Sequence, residues 1–175
     1  MKNLFDEFRK SYQTILRPIA ESLNLEPGYF DDKEGNSIMR SIFYPADPNP
    51  PSLDEEVEEE TTGGNVLGMC SSRHTDIDIL TLLFARKPGL QLKYRDEYHP
   101  VTVPDPNLII VNGGDMLWHL TGGRYASGMH RVVCEPNVER WSVPFFGHVL
   151  PETSIVPITP GCNLEDFPHT TAGAF

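Results

Sequence analysis

The sequence predicts a mainly β domain, an antiparallel sandwich or barrel, preceded by one amphipathic helix. Two observations support this prediction. Short runs of β-branched and aromatic residues recur between turn signals from residue 37 onward, whereas the first 23 residues place apolar side chains at helical spacing. A length of 175 residues suits a single domain with a substantial core.

The helix is predicted from Leu4 to Leu23, where apolar residues recur at steps of three and four with charges between them. Pro18 is expected to kink or split it, because proline removes a backbone donor and clashes with the preceding turn. We expect residues 1–34 to form a helical lead-in, residues 35–150 the main domain and residues 151–175 a C-terminal tail.

An acidic segment interrupts the chain before the main group of strands. Residues 44–65 are rich in proline, acid and glycine, and DEEVEEE within them carries six acidic residues. Such a composition buries too little apolar surface to fold alone, which predicts a disordered loop at about residues 46–64. An acidic lure for a cationic partner is the alternative.

The predicted strands are short, and turn signals such as KPG, PDPN and NGGD separate them. We find no helical pattern between them and interpret the two diglycines as turns, not as phosphate-binding loops. Close spacing of this kind indicates antiparallel pairing. The predicted strand segments are SIMRSIFY, DILTLLF, LQLKY, HPVTV, NLIIVN, DMLWHL, RYASGMHRVV and RWSVPFF.

Composition argues against several classes of binding partner and favours one cellular location. A formal net charge of −11 argues against nucleic acid and against an anionic membrane surface as partners. No apolar run approaches the length of a membrane span. The three cysteines, Cys70, Cys134 and Cys162, are odd in number and show no paired spacing, so we expect no disulfide framework and a cytoplasmic location.

The segment SSRHTDIDIL sets His74 and Asp76 two residues apart in a predicted strand. Residues at i and i+2 point to the same face, so the pair could clamp a divalent first-row metal. A third ligand is needed, and His130 in GMHRVV is the candidate that could face them across a barrel. The alternative is a solvated strand edge, or a histidine satisfied by ordinary hydrogen bonds.

A second pair, Arg140 and Ser142 in ERWSVPFF, also shares one strand face. An inward arginine needs an anionic partner, and a ligand carboxylate would fit its planar fork while the serine adds one donor. The alternative is a surface ion pair of Arg140 with Glu135 or Glu139.

Taken together, HTDIDILTLL, the segment from GLQLKY to TGGRY, MHRVV and RWSVPFF resemble the Fe(II)/2-oxoglutarate-dependent dioxygenase superfamily, in its isopenicillin-N-synthase-like branch. The resemblance runs from about Ile38 to Phe146. It implies a double-stranded β-helix, a distorted jelly roll. It also implies a metalloenzyme that uses Fe(II), 2-oxoglutarate and O2 to oxidise, most often to hydroxylate, a C–H bond of a small molecule.

The resemblance assigns roles by position. His74, Asp76 and His130 correspond to the iron ligands, and Arg140 and Ser142 to the residues that hold the distal carboxylate of 2-oxoglutarate. Tyr44 in IFYP matches a tyrosine that also reaches this co-substrate.

Ile42 departs from the family pattern, because many relatives have asparagine there and isoleucine cannot form a hydrogen bond. The usual N-terminal region and C-terminal helix also have no counterpart in this sequence. Two alternative functions therefore remain open: an iron oxidase that does not need 2-oxoglutarate, and a catalytically silent barrel module. The sequence says nothing about oligomeric state.

Overall fold

A computed structural model describes residues 2–53, 61–62, 65–103, 105 and 107–175. Much of the predicted acidic loop, residues 54–60, 63 and 64, lies outside these described residues. Within the same segment, residues 61–62 pair with residues 65–66 as two short antiparallel strands.

The described residues form two helices and eleven strands in the order α1, β1 to β9, α2, β10, β11. The helices are α1 (Lys2–Ser22) and α2 (Asp115–Leu120). The strands are β1 (Ile38–Met39), β2 (Ile42–Tyr44), β3 (Thr61–Thr62), β4 (Asn65–Val66), β5 (Gly68–His74), β6 (Leu80–Ala85), β7 (Leu90–Tyr94), β8 (Glu97–Pro100), β9 (Ile110–Gly113), β10 (His130–Cys134) and β11 (Arg140–Gly147).

Two antiparallel sheets build the domain. The five-stranded sheet has the order β1-β11-β6-β9, with β2 also pairing with β11, and the four-stranded sheet has the order β5-β10-β7-β8. Both sheets pair strands that are distant in sequence, as jelly-roll topologies do. The prediction of a mainly β, antiparallel fold is confirmed.

Helix α1 covers the outer face of the five-stranded sheet. Phe8, Tyr12 and Leu16 are buried along one stripe of the helix. The ring of Phe8 stacks on Phe145 of β11 at 5.8 Å between centroids, and the Tyr12 hydroxyl donates to the carbonyl of Gly147 at 3.2 Å. The helix continues through Pro18 to Ser22, so the expectation that this proline could split it is wrong.

The predicted strand DMLWHL is instead the helix α2. Gly114 is its N-cap, and the buried residues Met116, Leu117 and Leu120 follow helical spacing, which the sequence interpretation took for strand alternation. A helix therefore does follow the first diglycine. Three other predicted strands begin or end differently: HPVTV keeps only His99 and Pro100 in β8, NLIIVN is a strand only from Ile110, and β10 begins at His130.

The expectation of no disulfide is wrong. Cys70 of β5 and Cys134 of β10 form a disulfide, with their Cα atoms 5.7 Å apart, whereas Cys162 is free. The antiparallel pairing of β5 with β10 brings these cysteines together, which linear spacing could not indicate. Separately, no helix in the described part of the chain has the length and apolar content needed to cross a membrane.

Candidate active site

His74, Asp76 and His130 converge beside the end of β5 and the start of β10, two neighbouring strands of the four-stranded sheet. One ligand atom from each lies within 4.8 Å of the other two. His74 ends β5, and His130, its partner in the antiparallel register, begins β10. The Nε2 atoms of both imidazoles lie 3.9 Å from Oδ1 of Asp76. The three side chains can therefore surround a metal ion.

The local path of the chain differs from the expected continuous strand. Strand β5 stops at His74, and Asp76 lies in the following turn. The carbonyls of Asp76 and Ile77 accept backbone hydrogen bonds from Asp115 and Met116 at the start of α2, at 2.7 Å and 3.2 Å. The turn is thus held by the helix instead of by a strand ladder, and strand alternation does not explain why the two side chains meet.

Both imidazoles are oriented by backbone carbonyls. Nδ1 of His74 lies 2.7 Å from the carbonyl oxygen of Ser72, and Nδ1 of His130 lies 2.8 Å from that of Gly128. A carbonyl can only accept, so the hydrogen of each neutral ring is on Nδ1. Each Nε2 then keeps its lone pair for a metal, as is usual for histidine ligands.

The carboxylate of Asp76 is held through one oxygen. Its Oδ2 accepts from the Thr81 hydroxyl at 2.6 Å and from the Asn112 side-chain amide at 3.2 Å. Oδ1, which faces the two histidines, is left available. Asp76 is buried with 7% exposure, while the side chain of His74 is 43% exposed, so the cluster opens to solvent on the His74 side.

A second carboxyl group, that of Asp78, contacts the same Thr81 hydroxyl as Asp76 and is fully buried. Burial, reinforced by the nearby charge of Asp76, raises the pKa of Asp78 to about 8. Asp78 is therefore largely protonated at neutral pH. Thr81 Oγ1 lies 2.8 Å from Asp78 Oδ2, and its single hydrogen goes to Asp76, so the protonated Asp78 can donate to Thr81.

Arg140 and Ser142 share the inner face of β11, each with 3% exposure. Nε of Arg140 donates to the Pro88 carbonyl at 3.2 Å, whereas Nη2 has no hydrogen-bond partner among the described residues. Among the described residues, Arg140 forms no ion pair with Glu135 or Glu139. The alternative of a surface ion pair is therefore not supported.

Burial lowers the pKa of the Arg140 guanidinium. The ordinary pKa of arginine is so far above neutrality that the group nevertheless keeps its charge at pH 7. A buried cation with a donor to spare fits a carboxylate ligand.

Strand β2 lies beside this arginine. Tyr44 is opposite Arg140 in the register, with the guanidinium carbon 5.4 Å from its ring centroid, and Ile42 is opposite Ser142. The inner face of the five-stranded sheet also carries Thr81 and Asn112, which bind Asp76. The arginine pair and the network under the metal cluster thus belong to one face of one sheet.

The sequence interpretation missed Thr81, Asn112 and Asp78. Thr81 and Asn112 lie directly opposite each other on β6 and β9, and inward polar residues on otherwise apolar strands were the available signal. His119 is buried in α2, with Nδ1 2.7 Å from the Ile155 carbonyl oxygen.

Comparison with known proteins identifies relatives for most of this chain. A family model described as the 2OG-Fe(II) oxygenase superfamily matches residues 35–149. Gibberellin 20 oxidase 2 of Oryza sativa is 33% identical over 144 residues, which cover 81% of this chain and 33% of that protein. Hyoscyamine 6-dioxygenase of Hyoscyamus niger is 33% identical over 139 residues, covering 78% and 36%.

Solved structures of similar fold agree. A full-length protein of Neurospora crassa in complex with alpha-KG superposes with a TM-score of 0.78 at 28% identity, covering 98% of this chain and 52% of that one. JOX2 in complex with 2OG, Fe and JA gives 0.76 at 26% identity, covering 98% and 48%. This chain thus spans about a third of these curated relatives and about half of these solved chains. The chain belongs to the 2OG-Fe(II) oxygenase superfamily.

Proposed function

We propose that this chain is an Fe(II)- and 2-oxoglutarate-dependent dioxygenase that hydroxylates a C–H bond of a small organic molecule. One observation carries the proposal: two imidazoles and one carboxylate converge within 4.8 Å, in a fold whose inner face also holds a buried arginine with an unused donor. Two nitrogen ligands and one oxygen ligand are the donor set of non-haem iron oxygenases.

In the proposed reaction, 2-oxoglutarate, O2 and R–H give succinate, CO2 and R–OH. His74, Asp76 and His130 would hold the iron, which would supply the activation of O2 when bound. A small organic molecule is the proposed substrate because similar solved structures, such as JOX2 in complex with JA, hold small-molecule ligands.

We assign Arg140 to the distal carboxylate of 2-oxoglutarate, which its fork can grip through two parallel hydrogen bonds. Ser142, on the same strand face, adds one donor, and Tyr44 borders the charge. These residues orient the co-substrate and replace the water that its carboxylate loses, so their contribution is placement and charge compensation.

The proposal is tested with purified protein in two stages. Without oxygen, Fe(II) and 2-oxoglutarate together should produce a visible absorption band, and admitting O2 should then release succinate, even without substrate. His130→Ala should lose both signals. His99→Ala is the matched control, because His99 is exposed on β8 and no part of the cluster. No band and no bound iron would contradict the proposal and support a silent module.

An oxidase that does not use 2-oxoglutarate is the second candidate. It is favoured by Ile42, which faces Ser142 across β2 and β11 where many relatives have asparagine. In that case Arg140 and Ser142 would bind a carboxylate of the substrate itself. Oxygen uptake that requires iron but does not change with 2-oxoglutarate would support this candidate and overturn the first.

The cytoplasmic location stays a prediction. The disulfide between Cys70 and Cys134 argues against it, because stable disulfides are rare in the cytosol. Fluorescence of the tagged chain in cells, together with thiol labelling of both cysteines, tests the prediction. A reduced pair in a cytosolic protein would support it, and an oxidised pair in a secretory compartment would contradict it.

A further inference from the structure

Asp115, the first residue of α2, lies between the two segments that carry the candidate metal ligands. Its Oδ2 accepts a hydrogen bond from the Thr75 hydroxyl at 2.9 Å, and its Oδ1 accepts one from the Ser127 hydroxyl. Thr75 stands between His74 and Asp76 in the sequence, and Ser127 precedes His130 by three residues. One carboxylate therefore links both sides of the cluster.

Backbone hydrogen bonds extend this link to the ligands themselves. The N–H of Asp115 donates to the carbonyl of Asp76 at 2.7 Å. On the other side, the N–H of Gly128 donates to Gly113 at 3.2 Å, and the carbonyl of Gly128 orients the His130 ring at 2.8 Å. Asp115 thus contacts the backbone of one ligand, and Gly113, at the end of β9 two residues before it, contacts the segment that orients another.

The charge of Asp115 is not explained by an ion pair. The residue is half-buried, and among the described residues its carboxylate has no cationic partner. Partial burial of an unpaired carboxylate costs free energy, which strong hydrogen bonds from two hydroxyls offset. An acid in the first turn of a helix is favourable by itself, but α2 has only six residues, and that effect does not account for two bonds to residues outside the helix.

We propose that Asp115 is a positioning residue that holds the His74–Asp76 turn and the segment before His130 at the separation that a metal ion requires. This role rests on the proposed function, because it has meaning only if the cluster binds metal. Asp115 itself is not a ligand. Without its carboxylate, Thr75 and Ser127 lose their common acceptor, and the ligands on either side are free to separate.

The test is an anaerobic titration of the full chain with Co(II), followed by visible absorption, which reports both affinity and coordination geometry. The variants are Asp115→Ala, Asp115→Asn, Thr75→Val and Ser127→Ala. Asp105→Ala is the matched control, because among the described residues that exposed carboxylate accepts only from N and Nδ2 of Asn107 in its own loop. Circular dichroism at the titration temperature establishes that each variant is folded, so that a weaker affinity is not a folding defect.

We expect Asp115→Ala to raise the Co(II) dissociation constant about 10- to 100-fold, the usual range for residues that support metal ligands, and to alter the visible bands. Asp115→Asn keeps the size and one acceptor oxygen, so its effect should be intermediate. Thr75→Val and Ser127→Ala should each have a smaller effect. Adding Thr75→Val to Asp115→Ala should change little more, because both remove the same bond. Asp105→Ala should match the wild type.

A folded Asp115→Ala variant with an unchanged dissociation constant and unchanged bands would overturn the proposal and leave Asp115 a helix-end residue. If Asp115→Ala does not fold, Thr75→Val and Ser127→Ala decide instead, and wild-type affinity in both overturns it. A wild-type chain that binds no Co(II) overturns the proposed function and this role together, which separates the two kinds of failure.

Discussion

The two faces of the five-stranded sheet are built from the same strands but have opposite chemistry. On the outer face, Leu82 and Phe145 are fully buried and the ring of Phe145 packs against α1. On the inner face, Thr81 holds the carboxylate of Asp76, and Arg140 keeps an unused donor. The difference teaches that side-chain alternation divides the sheet into a face for stability and a face for chemistry. Substitutions on the two faces should therefore change different measurable quantities.

The largest expected effect is on the inner side, from Asp76→Ala. Loss of the carboxylate removes one of three candidate ligands, so metal affinity should fall by more than the roughly 100-fold upper range for supporting residues, and succinate release should disappear. Equilibrium dialysis with Fe(II) under anaerobic conditions measures the first quantity. Asp105→Ala serves again as a control, and an Asp76→Ala variant that binds iron like the wild type would remove Asp76 from the ligand set.

Phe145→Ala should give the largest effect on the outer face. Truncating this fully buried ring should lower the free energy of unfolding by about 3–5 kcal/mol, whereas the affinity for metal in the folded protein should stay unchanged. Urea denaturation measures the loss. Phe43→Ala is the matched comparison, because Phe43 is 44% exposed on the same outer face and should cost much less. Equal losses at both positions would show that burial does not set the loss, and a changed metal affinity in folded Phe145→Ala would contradict the division into two faces.

Reducing the disulfide tests how much this bond stabilises the four-stranded sheet, whose strands β5 and β10 carry both histidines. The bond joins residues separated by 64 positions, so chain-entropy arguments give about 4 kcal/mol of stabilisation and measured native disulfides about 2–5 kcal/mol. Cys70→Ser should therefore lower the urea midpoint, and dithiothreitol should have no further effect in that variant. A wild-type midpoint that is insensitive to reduction would show that this bond contributes little.

Arg140→Gln should weaken co-substrate binding without a comparable loss of stability. Removing one partner of a buried charge pair costs about 2 kcal/mol or more, which corresponds to at least a roughly 30-fold higher apparent KM for 2-oxoglutarate. Arg86→Gln is the control, because Arg86 is exposed beside the same sheet. Unchanged kinetics in Arg140→Gln would assign the distal carboxylate to another residue.

Per pH unit, the smallest expected effect is a stability slope caused by Asp78, whose pKa is about 8 in the folded protein and about 4 when unfolded. Between these values the folded state keeps a proton that the unfolded state has released. The contribution of Asp78 to stability is therefore greatest below about pH 4 and falls as the pH rises to about 8, by at most about 1.4 kcal/mol per pH unit. Urea denaturation of the metal-free protein should give a shallower slope for Asp78→Asn, and an identical slope would contradict the raised pKa.

Sequence patterns predicted the regular strands well. Arg140 and Ser142 occupy the same inner face of β11, as their spacing predicts, because a strand alternates its side chains without help from other elements. The same rule misled at Asp76, which lies beyond the end of β5, and at DMLWHL, where buried residues follow a helical period. In both places hydrogen bonds between α2 and the turn after His74 override the local pattern.

By itself, the sequence determined the fold class and the resemblance to the family, because apolar periodicity and short motifs are properties of neighbouring residues. Tertiary structure alone decided which residues support the candidate ligands. Thr81, Asn112 and Asp115 meet the cluster, and Cys70 meets Cys134, through pairings between segments far apart in the chain. No local spacing rule encodes such contacts, because they form only when the two sheets and α2 pack together.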